Sequence, residues 1–112
     1  MAFKQGVMNS DAQLDSLTMQ TAGATKITRM YVVKQTLTPT AVGANTTSEQ
    51  TFTVQGVQLG DSLDVNKPSH QTGLNIGNVR ASAANQIAIQ YVNTTAGSIT
   101  PASETYTIGG MA

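Results

Sequence analysis

The chain has 112 residues, with six basic and six acidic side chains, one histidine and no cysteine. That length makes one domain, and the missing thiols exclude disulfide staples and thiolate metal sites. Charged residues are 11% of the chain, against ~25% in an average soluble domain; so thin a charge with zero net balance excludes a basic footprint for nucleic acid and leaves a surface that tends toward association.

Residues 1–25 read as an N-terminal arm. Ser10 and Gln13 make a weak capping box, Asp11 and Asp15 suit a helix N-terminus, and Leu14 and Leu17 share a face; a short helix and an extended arm both fit. The segment has no apolar h-region, so it does not read as a signal peptide, and no apolar run approaches the ~18–20 residues of a membrane span. These features predict synthesis in the cytoplasm and no membrane partner.

Residues 26–112 read as a β domain. Ile27 to Leu37 predicts the first strand, with Ile27, Tyr31, Val33 and Leu37 on one face, interrupted by Arg29 and Gln35, and Met30, Val32 and Lys34 on the other. Pro39, Gly43 and Asn45 mark a loop. Ser48 to Gly56 predicts a second strand with Phe52 and Val54 inward, and Leu63 and Val65 a short third one ended by Asn66-Lys67-Pro68. Ser69 to Gly77 reads as a loop because of Gly73 and Gly77. Val79, Ala81 and Ala83 alternate in a fourth strand, Ala84-Asn85 makes a tight turn, and Gln86 to Asn93 is the clearest strand, with Ile87, Ile89 and Tyr91 on one side. Glu104 to Ile108 closes the set with Tyr106 and Ile108 inward, and Gly109 to Ala112 reads as a frayed end. Short period-two strands with turn signals every 8–12 residues predict an all-β fold, a small antiparallel β-sandwich or barrel; the connections are too short for helical crossovers.

The residues that carry chemistry form no catalytic set. His70 stands alone in a loop, and Ser69 beside it is a sequence neighbour, not a nucleophile with its base. Asp61 and Asp64 lack a calcium-loop frame and read as turn and strand-edge residues. Lys26, Arg29 and Lys34 make at most a modest basic patch. Asn45-Thr46-Thr47 and Asn93-Thr94-Thr95 match the glycosylation sequon but, without a secretory signal, read as turn-prone triplets. No metal, cofactor or catalytic residue is expected, and the chain reads as a binding protein, not an enzyme.

From Thr51 onward the chain resembles a known family. Thr51-Phe-Thr-Val-Gln-Gly-Val-Gln-Leu-Gly-Asp61 leads to Val65-Asn-Lys-Pro-Ser69. Gly73-Leu-Asn-Ile-Gly-Asn-Val-Arg-Ala-Ser-Ala-Ala-Asn85 follows, then Ile87-Ala-Ile-Gln-Tyr-Val-Asn-Thr-Thr-Ala96 and Ile99-Thr-Pro-Ala-Ser-Glu-Thr-Tyr-Thr-Ile108. Together they resemble a small β domain that recurs in structural proteins of tailed-bacteriophage and prophage virions. The resemblance covers roughly half the chain and carries no catalytic signature. It implies a virion structural role. Joined to the low charge, it leads to the expectation of a capsid decoration (cement) protein, a homotrimer on the capsid exterior bound to the major capsid protein. Phe3, Val7, Met8, Leu14 and Leu17 are then the expected partner-binding anchors. The competing expectations are a tail, baseplate or head-fibre component, and a carbohydrate-binding module for host attachment.

Overall fold

The computed structural model describes residues 22–112, with Ser16 and Thr18 before them. Six strands follow one another: β1 (Met30–Leu37), β2 (Thr46–Thr53), β3 (Ser62–Asn66), β4 (Leu74–Ala83), β5 (Gln86–Asn93) and β6 (Glu104–Met111). They form two three-stranded antiparallel sheets, β1-β6-β3 and β2-β5-β4. The fold is all-β, as the alternation predicts, and has the two-sheet layout of a small sandwich. The short helix or arm expected in residues 1–25 lies outside the described residues, apart from Ser16, Thr18 and the stretch after 21.

Period-two patterning decides which side chains enter the core. Ile87, Ile89 and Tyr91 of β5 and Tyr106 and Ile108 of β6 are fully buried, joined by Val42, Val54 and Val57 from the connections. Each such side chain contributes about 1.5–3 kcal/mol by leaving water. The two sheets also meet through a polar bond, because the hydroxyls of Tyr91 and Tyr106 lie 2.8 Å apart inside the core. The second face of β5 is covered differently. Ala88 is buried where Arg80 of β4 and Glu49 of β2 reach across β5 to form a 2.7 Å ion pair.

Glutamines replace strand bonds where the chain leaves the sheets. The Gln50 side chain accepts from the Thr40 N–H at 2.8 Å and donates to its carbonyl at 2.9 Å. Gln71 does the same for the segment after β5, donating to the Thr100 carbonyl and accepting from the Ala102 N–H. Asn93 holds a wider stretch of backbone in the same way. Its Nδ2 donates to the carbonyls of Val42, Gly43 and Gly97, and its Oδ1 accepts from Thr95.

Two expectations are corrected. The predicted loop from Ser69 to Gly77 is only partly a loop, since β4 begins at Leu74. Gly77 is an inserted residue between Ile76 and Asn78, and a side chain there would meet Gln90 and Val92; the glycine marks a bulge, not a break. The predicted frayed end at Gly109 to Met111 is the last part of β6, hydrogen-bonded on both sides to β1 and β3. Gly110 is required there because the Tyr31 ring lies across it and occupies the place of a β-carbon. Ala112 continues the clasp, accepting from the N–H groups of Thr28 and Arg29.

Candidate interaction surface

His70 is exposed and borders a shallow groove of about 220 Å³ with Lys67, Ser69, Gln71 and Leu74. The neighbouring serine is held in a salt bridge instead of being activated. Lys67 Nζ lies 2.9 Å from Glu104 Oε2, and also donates to the Ser69 carbonyl and hydroxyl. The Ser69 hydroxyl donates to the same carboxylate at 2.8 Å. Lys67 and Ser69 hold Glu104 below the usual carboxylate range, which makes it a weak base for removing a serine proton. His70 takes no part in this hydrogen-bonding.

Asp61 proves to be the most strongly engaged carboxylate. Its side chain is 1% exposed. It accepts from Arg29 Nη1 at 2.6 Å and Nη2 at 3.1 Å, from the Tyr31 hydroxyl at 2.5 Å and from the Gln58 N–H at 3.0 Å. Arg29, foremost, then Tyr31 and Gln58 pull the carboxyl from 3.8 down to about 2 against the opposing effect of burial. Burial and the bond to Asp61 push Tyr31 up to about 12. Arg29 also donates to the Gly56 carbonyl at 2.5 Å, and Asn85, at φ 59, accepts from the Gly56 N–H and donates its own N–H to the Val57 carbonyl. The 54–61 loop is thereby fixed from both ends, with Leu59 held outward at 69% exposure. Asp61 is therefore a structural keystone, a role beyond the turn residue expected from sequence. Among the described residues no group of three His, Asp or Glu side chains comes together.

Arg29 is consumed by this staple, so the basic patch expected from Lys26, Arg29 and Lys34 does not form as a free triad. The sequons also separate. Asn93 is 1% exposed and its amide is fully bonded, whereas Asn45 is exposed in a turn at φ 51.

What remains open is one sheet face. The outward side chains of β1, β6 and β3 lie in rows set by the register: Met30–Met111–Ser62, Val32–Gly109–Asp64 and Lys34–Thr107–Asn66. Met30 is 64% exposed, Val32 69% and Met111 43%. Together with Leu59, which precedes β3, these are the large exposed hydrophobic side chains among the described residues, and all belong to the end of the molecule built on Arg29–Asp61. The sequence pattern places Met30 and Val32 on the second face of their strand. It misses Met111, which carries no strand signal beside two glycines. The expected anchors Phe3, Val7, Met8, Leu14 and Leu17 lie outside the described residues. No family model, no curated protein and no solved structure matches the chain.

Proposed function

We propose that this chain is a non-enzymatic virion structural protein, a capsid decoration (cement) protein that binds the outside of the major capsid shell and stabilises it. The observation that carries the reading is how the side chains of residues 22–112 are used. The acids and bases that meet are committed to internal ion pairs, the histidine has no catalytic partner among the described residues, and the open face carries exposed Met30, Val32 and Met111 at one end with Lys34 and Asp64 beside them. Such a scaffold is suited to adhesion. The resemblance of residues 51–108 to virion β domains supports the same reading. Phe3, Val7, Met8, Leu14 and Leu17 are the proposed anchors on the major capsid protein, and copies grouped as trimers over the three-fold positions of the shell gain avidity from many weak contacts.

The carbohydrate-binding alternative is weakened by Tyr31, Phe52, Tyr91 and Tyr106, all of which turn toward the core; sugar stacking needs an exposed ring. The test is electron microscopy of virions carrying a label on this protein. Labels distributed over the head are the expected result. Labels confined to the tail would replace the proposal with a tail or baseplate role, and labels on projecting head fibres with a fibre role.

A further inference from the structure

We propose that the outer face of the β1-β6-β3 sheet binds a second copy of this chain through a two-fold contact, in which Lys34 of each copy meets Asp64 of the other. The first support is charge. Among the described residues, Arg29, Lys67 and Arg80 are each neutralised within the chain by Asp61, Glu104 and Glu49. Lys26, before β1, is exposed and outside these ion pairs, and so are Lys34 and Asp64. Lys34 and Asp64 stand on the same sheet face, one on each outer strand, on either side of β6. One cation and one anion on a single face are complementary to that face turned over, which is the requirement of an isologous contact.

The second support is position. Strands lie about 4.8 Å apart and outward side chains about 6.8 Å apart along a strand, so Lys34 and Asp64 are set about 12 Å from each other diagonally across β6. The two are not paired with each other within the copy. A two-fold axis in the plane of the interface, crossing β6 between Thr107 and Gly109 and tilted about 35° from the strands, exchanges the two positions. The same operation carries Val32 onto the space between Gly109 and Met111 of the other copy and sets Met30 beside its own counterpart. Gly109 leaves that space open, since nothing lies within 4 Å of where its β-carbon would stand. The apolar side chains thus meet along the axis toward the Met30 end of the face, to one side of the two ion pairs that fix the orientation. The contact is separate from a three-fold grouping on a shell and joins copies two by two.

Sedimentation equilibrium of the purified full chain tests this, and because no shell is present its failure is distinct from failure of the virion reading. The expected result is a concentration-dependent rise in mass above the 11.7 kDa chain. Lys34→Asp and Asp64→Lys each place like charges together and weaken the association about tenfold or more, while the double exchange restores it. A zero-length carbodiimide cross-link between Lys34 and Asp64, made in a mixture of light and heavy isotope-labelled chains, joins one light to one heavy peptide. A mass that stays monomeric at every concentration, single variants that associate like the parent, a double exchange that restores nothing, or cross-links found only within one isotope population would each overturn the proposal.

Discussion

Removing one hydroxyl from the core should cost more than removing two. Tyr91 and Tyr106 are fully buried and their hydroxyls share a single 2.8 Å hydrogen bond between the sheets. Tyr91→Phe keeps the ring and deletes the oxygen. It removes a bond with a net value of about 0.5–1.5 kcal/mol and leaves the Tyr106 hydroxyl without its partner in an apolar setting, a further ~1–3 kcal/mol. A loss of about 1.5–4.5 kcal/mol is expected, and the same for Tyr106→Phe. The double variant has no orphan, so it should lie within about 1 kcal/mol of the parent. Urea denaturation of all four proteins measures the cycle, with an unchanged slope showing that only stability moved. If the two single losses simply add in the double variant, or if each is below about 0.5 kcal/mol, the hydroxyl bond is not what links the sheets and the reasoning fails.

Four further outcomes are expected. The Asp61 carboxyl is depressed from 3.8 to about 2, so its contribution is complete above the unfolded value and is lost as pH falls through the folded one. With water screening at the open Arg29 end this amounts to ~1 kcal/mol, seen as a drop in unfolding free energy between about pH 4 and pH 2 that Asp61→Asn does not show. At high pH, burial raises Tyr91 and Tyr106, and Tyr31 is pushed up to about 12; phenolate absorbance should therefore rise at a higher pH than in the urea-unfolded chain, and a titration that matches the unfolded chain would refute the buried setting of the rings. Asn93→Ala removes a buried amide that bridges the Val42, Gly43 and Gly97 carbonyls, of which Val42 and Gly97 keep other donors, and should cost about 1–3 kcal/mol in a thermal or urea melt; a neutral result would show that the 94–101 connection is held by other means. Deletion of residues 1–23 should leave circular dichroism of the β domain intact and weaken binding to assembled shells, and loss of the folded spectrum would refute the arm assignment.

The parts of the fold that are legible in the sequence are those where burial follows strict alternation. β5 can be read with both boundaries because Ile87, Ile89 and Tyr91 alternate without interruption and Ala84-Asn85 turns tightly before them. Legibility ends at glycines, where the pattern carries no side chain to follow. Gly77 hides a bulge inside β4, and Gly109 and Gly110 hide the end of β6, whose missing side chain is supplied by Tyr31 from another strand. Arg29, just before β1, and Gln35 within it interrupt the inward apolar pattern for reasons that only tertiary proximity reveals. One pairs with Asp61 and the other donates to the Thr53 carbonyl at 2.6 Å. The open face is half legible: Met30 and Val32 are visible as apolar residues on the second side of β1, but their alignment with Met111 and Asp64 depends on β6 lying between β1 and β3.

That strand order has a consequence for biosynthesis. β4 and β5 are neighbours in sequence and β2 pairs with β5, so one sheet can assemble as soon as Asn93 has left the ribosome. β1 and β3 have only β6 as a strand neighbour, and they wait for the stretch from Glu104 to Met111. Until then the inward side of β5 lacks its cover and the Met30–Met111 row does not exist. Translation that stalls before β6 should leave products with an uncovered core face that proteases clear, so the topology itself screens out unfinished copies.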